Sequence, residues 1–450
     1  MKNPNLIGKL RAQLPGEAQN LLEALLHLTE QRAVALYLVG GPLRDLLLDR
    51  PSLDLDIAVE GSAMAIAREL ADAIGGRAVT HPAFLTATVR IPGPTPRPGF
   101  HLDLITTRSE TYARPGALPT VEPATIREDL LRRDFTINAL ALPLNGPDAG
   151  EVIDPTGGLA DLHARLIRVL HERSLEDDAT RILRAFRYAA RLGFEIEPQT
   201  LGWLQRDIRY LETISAARIH HELARILAEP APEETLRRVN ETGALAVIHA
   251  ALRFEPEHAD AFARLRDLNP GGARTAYWPP LAWRLSEAET ADLARRLALT
   301  RAQRAAVEAM PALERLASPA PSVAQGPSPE PASLRVPHLK RSALVELLAP
   351  FPLPALWAFA ALTGGRVRER ILDYLTKARH ERQYLTGDDL LALGVVQGPA
   401  LGEILGRLRE ARLDGEATAR EDEKRLARRL IAEGEKADRP AEKAAPSRSS

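Results

Sequence analysis

The chain has 450 residues, of which 59 are basic and 60 acidic, so its net charge of −1 sets up no global positive field that would announce a nucleic-acid partner. With 45% hydrophobic and 26% charged residues it can bury several cores, which excludes disorder along most of its length. It contains no cysteine, which excludes disulfides, thiolate zinc sites and cysteine nucleophiles.

The opening stretch "MKNPNLIGKLRAQLPGEAQ" lacks the apolar core of a signal peptide, and no run nears the roughly 20 apolar residues of a membrane span, so a cytoplasmic protein without membrane contact is expected. Aromatic residues are only 4%, which favours helices packed through small and aliphatic side chains. Residues 1–32 are expected to form an N-terminal helix, with Leu21, Leu22, Leu25, Leu26 and Leu28 at helical spacing. Then "ALYLVGG" reads as a short strand stopped by glycines, "RDLLLD" as a helical turn or two, and "LDLDIAVEG" alternates at period two as a half-buried strand does. "SAMAIARELADAIGG" follows as a helix capped by Ser62 and stopped by Gly75 and Gly76.

"FLTATVRI" and "FHLDLITT" are two further strands, joined by a hairpin-like "PGPTPRPG". Residues 108–125 carry so many breakers that a long loop is expected, with Tyr112 and Arg114 on a mobile segment. The expected fold is α+β: a small α/β head with a mixed sheet over 33–165, then helices. These divide into a neck over 166–230, a body over 231–317, a Pro/Ala/Ser-rich linker over 318–337 and a tail over 338–433, with 434–450 disordered.

Asp54 and Asp56 stand at i and i+2 on the expected strand, so both carboxylates leave one face and repel each other. A divalent cation relieves that cost, and oxygen-only ligands suit magnesium. Solvated acids at a strand end are the bland alternative for such a pair alone. The neighbours add weight: Gly40 and Gly41 precede a helix start where amides meet phosphate, with Arg44 adding charge. Asp103 brings a third acid if Leu102 and Leu104 pack the opposite face.

These motifs resemble the class II tRNA nucleotidyltransferase and bacterial poly(A) polymerase family. "LVGGPLRDLLL…DLDIAVEG" is similar to its catalytic motif, "LRRDFTINALAL" to its nucleotide-positioning motif and "DPTGGLADL" to its interdomain turn. "EDDATRILRAFRYAARLGFEIE" is similar to its base-reading helix and "ISAARIHHELARIL" to the neck helix after it, so the likeness runs over residues 36–227. It implies catalysis by Asp54, Asp56 and Asp103, with Mg2+ held by Asp54 and Asp56. It further implies triphosphate binding by Gly40, Gly41 and Arg44, and nucleotide positioning by Arg133, Asp134 and Asn138.

In "DDATRILRAFR", Ser174 and Asp177 offer a capping box, and Ile182, Leu183 and Phe186 a core stripe. Asp178, Arg181, Arg184 and Arg187 then form a line at three-residue steps that can face a ligand. A carboxylate accepts from the amino group of cytosine or adenine, while an Arg fork donates to the neighbouring ring nitrogen or carbonyl. Uracil and guanine present the opposite polarity there, so an Asp178–Arg181 pair rejects them and the protein itself acts as template. A plain i, i+3 ion pair is the alternative. Arg184 and Arg187 support the pocket or the phosphates.

No phosphate loop, no dinucleotide fingerprint and no His-Asp dipeptide occurs, so ATPase, dehydrogenase and phosphohydrolase chemistry are not expected. The family resemblance implies addition of C and/or A from CTP and ATP to the tRNA 3′ end, with pyrophosphate released and the helical remainder gripping the tRNA. The phrasing "LPTVEPATIREDLLRRDFTINAL" leans toward CC addition. Poly(A) polymerase, a non-catalytic RNA-binding protein on the same scaffold, and a helical scaffold with a structural head are the alternatives.

Overall fold

The computed structural model describes residues 6–30, 32–51, 54–91, 100–269, 271–318 and 334–437. The "PGPTPRPG" connection, most of the expected linker and the chain after 437 lie outside the described residues. The chain divides into two compact units, residues 1–250 and 251–450.

The first unit opens with α1 (Leu6–Gln13) and α2 (Gly16–Glu30), two helices where one was expected. Pro15 separates them, since it offers no amide to continue α1 and disfavours helical backbone in Leu14 before it. The elements β1 (Ala35–Val39), α3 (Gly40–Leu47), β2 (Asp56–Glu60) and α4 (Ala63–Ile74) follow. Helix α4 has the expected caps: Ser62 Oγ accepts from the Ala65 amide, and Gly75 takes the left-handed conformation at φ 66°.

Next come β3 (Arg77–His81), β4 (Thr86–Arg90) and β5 (His101–Thr106). With β8 (Ala141–Pro143), the strands form a six-stranded mixed sheet in the order β3-β4-β5-β2-β1-β8, in which only β2 and β5 run parallel. Alternation sorts the side chains: Tyr37, Val39 and Ala58 pack with Ile126 and Leu130 on one face. The fully buried Leu36, Leu38, Ile57 and Val59 leave the opposite face.

Residues 108–125 are not a structureless loop. Strands β6 (Arg108–Thr111) and β7 (Thr120–Pro123) pair antiparallel, with Pro115, Gly116 and Pro119 in the tip between them and Pro123 at the end of β7. At that tip a Cβ on Gly116, already at φ +76°, would collide with the Thr213 backbone, so this close approach requires glycine.

After α5 (Ile126–Leu131), a 3-10 turn at Thr136–Asn138 and β8, the described chain is mainly helical, interrupted in the first unit by a short parallel pair, β9 (Leu166–Ile167) with β10 (Glu195–Ile196). Helix α6 (Gly158–Ala164) is followed by α7 (Ser174–Asp177), α8 (Thr180–Leu192), α9 (Pro198–Asp207) and α10 (Ala216–Leu227). The second unit consists of helices, from Pro256–Leu268 to Arg420–Ala437. An aromatic stack of Phe262 on Tyr277, centroids 4.4 Å apart, and a separate cluster around Leu385, Leu390 and Leu408 mark its cores. Among the described residues no single helix is long and apolar enough to cross a membrane. The architecture is thus a mixed-sheet head followed by helices, an α+β fold.

Candidate active site

One cavity of about 490 Å3 in the first unit is lined by Gly40, Gly41, Asp56, Arg133, Asp134, Asn138, Asp178, Arg181 and Arg184. Nine of the site residues expected from the sequence therefore meet in one place, and Tyr112 of the expected loop lines it too. Its floor is a sheet face. Asp56 opens β2 opposite Asp103 on β5, and Thr88 of β4 is paired with Asp103 in turn, so the three stand abreast.

Asp56 is pushed up to about 6, first by burial and then by the charge of Asp103, with Arg133 pulling the other way and Asp54 adding to the rise. Asp103 Oδ1 accepts from Thr88 Oγ1 at 2.6 Å and does not itself line the cavity. Leu102 and Leu104 are fully buried on the opposite face, as the alternation required. Asp54 is a correction: β2 starts only at Asp56, and Asp54 lies before it, exposed.

Gly40 and Gly41 form the N-terminus of α3, where unpaired amides favour an anion. Gly40 has φ +66°, and a Cβ there would sit 3.1 Å from Arg133 Nη1 and 3.9 Å from Asp56 Oδ2, so glycine lets the guanidinium close over the turn. Arg44 corrects the expected phosphate contact. Its side chain is 2% exposed; Nε and Nη2 bond Asp45 Oδ1, and Nη1 bonds Asn138 Oδ1 at 2.8 Å. One turn into α3, it points into the packing beneath the site and orients Asn138.

"RRDFTINAL" forms a bend followed by one 3-10 turn, with Phe135, Ile137 and Leu140 buried. Asn138 Nδ2 donates to Asp134 Oδ1 at 3.0 Å, while Asp134 Oδ2 accepts from Arg184 Nη2 at 2.6 Å. Burial pushes Asp134 up, but Arg184 and these hydrogen bonds outweigh it and bring the group down to about 2.

Arg133 is set by a residue the sequence reading missed. Asp129, fully buried, accepts from Arg133 through Oδ2 at 2.9 Å and from Arg132 through Oδ1 at 2.7 Å. Burial raises this carboxyl, and the two arginines more than reverse the effect. Its positions three and four residues before those arginines were the available signal.

On the opposite side of the cavity, helix α7 ends at Asp177 and α8 starts at Thr180, which breaks the expected continuous helix at Asp178. Asp178 Oδ1 accepts from the Thr180 amide, Thr180 Oγ1 and Arg218 Nη2, so all three bonds fall on one oxygen and Oδ2 is left for a ligand. The expected capping box does not form; Ser174 is buried, and Arg181 Nη1 donates to its Oγ at 2.5 Å. Arg181 Nη2 donates to the Arg132 carbonyl at 2.7 Å, which ties α8 to the motif that carries Arg133.

Arg184 faces the cavity, whereas Arg187 is 3% exposed, paired with Glu222 at 3.5 Å and laid over the Tyr188 ring at 4.8 Å. It is a support behind the pocket. The hairpin adds Glu110, whose Oε1 accepts from Arg108 and Arg132 and whose Oε2 accepts from Tyr112. Burial, then the Glu110 charge, pushes the Tyr112 hydroxyl well above its ordinary value. In the interdomain turn, Asp154 accepts from the Gly158 and Leu159 amides, and a Cβ on Gly158 would collide with the Thr136 carbonyl.

Among the described residues no group of three or more His, Cys, Asp or Glu side chains is arranged to hold a metal ion. The crowding of Asp56 by two further carboxylates nevertheless fits a divalent cation, because magnesium takes one or two carboxylates and completes its shell with water and phosphate.

The family models that match are "Poly A polymerase head domain" over residues 36–168 and "Probable RNA and SrmB- binding site of polymerase A" over residues 193–261. The A-adding tRNA nucleotidyltransferase of Geobacter sulfurreducens is 32% identical over 96% of this chain, which spans only 49% of that protein's length. The CC-adding tRNA nucleotidyltransferase of the same organism is 31% identical over 86% of this chain and 90% of its own. In structure, the Thermotoga maritima CCA-adding enzyme complexed with tRNA aligns at a TM-score of 0.70 with 27% identity, over 95% of this chain and 98% of that one. The chain belongs to the tRNA nucleotidyltransferase family of A-, CC- and CCA-adding enzymes.

Proposed function

We propose that this protein transfers C and/or A from CTP or ATP to the 3′ end of tRNA without a nucleic-acid template and releases pyrophosphate. The observation that carries the reading is the shared cavity: Asp56 and the α3 N-terminus open into the same space as Asp178 and Arg181. A nucleotide whose base lies on the second pair has its phosphates toward the first.

Asp56, with Asp54 and Asp103 beside it, would hold magnesium, which supplies Lewis-acid chemistry for the attacking hydroxyl and the leaving pyrophosphate. Arg133, held by Asp129, places a fixed positive charge over the Gly40 turn where the phosphates approach. Asp134 and Asn138 order the sugar side. Asp178 Oδ2 accepts from the amino group of C or A, and Arg181 donates beside it. Arg44 and Arg187 act through Asn138 and Tyr188 from behind. The helices from about Pro198 onward grip the tRNA by shape and phosphate contacts, and the work is done in the cytoplasm.

Relatives that add A and relatives that add CC both match, so the lean to CC addition rests on the head-motif phrasing alone. Poly(A) polymerase has no support among these relatives. The test is incubation of the purified protein with tRNA lacking CCA, tRNA lacking only the last A, and an unrelated RNA, each with a single NTP. Extension of the first by CTP and not of the second by ATP indicates CC addition. The reverse indicates A addition, and long A tracts on the unrelated RNA indicate a poly(A) polymerase. No extension of any RNA overturns the enzyme reading.

A further inference from the structure

Six arginines line the cavity, and five have their charge or donors engaged by the protein. Arg108 and Arg132 face Glu110, Arg133 faces Asp129, and Arg184 faces Asp134, while Arg181 donates to Ser174 and to a backbone carbonyl. Arg225 differs: it is exposed, lines the cavity and, among the described residues, has no partner.

Its position along the cavity follows from the pairing of two helices. Helices α8 and α10 advance together, with Arg218 on Asp178, then Glu222 on Arg184 at 3.5 Å, then Glu229 on Arg187 at 3.8 Å. The same direction leads to Tyr188, whose ring lies 5.1 Å from the Arg44 guanidinium of α3. Arg225 lies seven residues past Arg218, roughly 10 Å of helical rise, and so stands away from the base reader and toward the α3 end.

We infer that Arg225 binds the terminal phosphates of the incoming nucleoside triphosphate and so lets the site distinguish a triphosphate from a shorter nucleotide. A guanidinium without a carboxylate partner is suited to this, since its planar fork bonds phosphate oxygens bidentately. The inference rests on the reading of the cavity as a CTP and ATP site.

The test is calorimetry on the full chain with magnesium present, titrating CTP and CMP, and ATP and AMP in the same way, into wild-type, Arg225→Gln and Arg225→Lys proteins, with tRNA affinity measured in parallel. Loss of one charge-assisted contact to phosphate weakens CTP binding in Arg225→Gln by about tenfold or more. CMP binding and tRNA affinity stay unchanged, and Arg225→Lys recovers part of the loss. Equal CTP affinity in the variants and wild type overturns the inference, as does an equal loss for CMP and CTP, or a loss confined to tRNA, which would make the phosphate an RNA one. If wild-type protein binds neither CTP nor ATP, the functional reading fails as well; if it binds CTP and the variants match it, only the role of Arg225 fails.

Discussion

Arg184 on helix α8 and Asp134 in the nucleotide-positioning motif meet at 2.6 Å, with the carboxylate also accepting from Asn138 and from the Phe135 amide. One pair thus ties helix α8 to the loop beside the sheet.

Because Asp134 is brought down to about 2 from an ordinary value of 3.8, its ionised form stabilises the fold. That contribution is fully present above the unfolded-state value near 3.8 and is lost as pH falls through about 2. Asp134→Asn should cost about 2 kcal/mol at neutral pH. The gap from wild type should close as the pH is lowered from 4 toward 2, which denaturant titrations across that range would show. A constant gap would mean that the loss comes from packing rather than charge.

Gly40→Ala places a side chain at φ +66° and against Arg133 Nη1 at 3.1 Å. The left-handed backbone alone costs about 1–2 kcal/mol, and the displaced guanidinium should raise the KM for CTP or ATP. Gly75→Ala, also at φ +66° but with nothing near its Cβ, should destabilise similarly and leave KM unchanged. Equal KM effects in both would remove the role given to the Gly40–Arg133 contact.

Asp178→Asn keeps the shape of the base reader but offers a donor where Oδ2 accepts. Single-nucleotide incorporation assays should show the preference for CTP over UTP falling by at least about 100-fold, since a buried polar mismatch is what sustains such discrimination. A variant that loses activity on all nucleotides alike would point to a structural role at the α7–α8 break.

Much of the fold was legible because period-two alternation and capping residues act locally. Tyr37, Val39 and Ala58 face one way, and Ser62 and Gly75 bound α4 as the sequence indicated. The β6–β7 hairpin was not legible: four-residue strands are shorter than the breaker-rich tip between them, so composition hid the pairing. Asp54 and Asp56 were read as strand mates, yet the ladder begins only at Asp56.

At the site, the chemistry-bearing types were visible and their orientation was not. Arg44 and Arg187 sit at helical spacings that fit a ligand-facing role as well as a buried one, and only their partners Asn138 and Glu222, each more than 30 positions away, decide it. The anchoring of Asp178 by Arg218, across 40 positions, is likewise invisible to local pattern.

The most direct measurement follows incorporation of labelled CMP or AMP into tRNA lacking its CCA end, with magnesium, by wild-type and Asp56→Asn proteins whose CTP binding is checked separately. Wild-type protein should extend the tRNA while Asp56→Asn binds CTP yet loses roughly three orders of magnitude or more in rate, the scale of several kcal/mol of charge stabilisation. Equal extension by the two proteins, or none by the wild type, would contradict a catalytic role for the acidic face of the sheet.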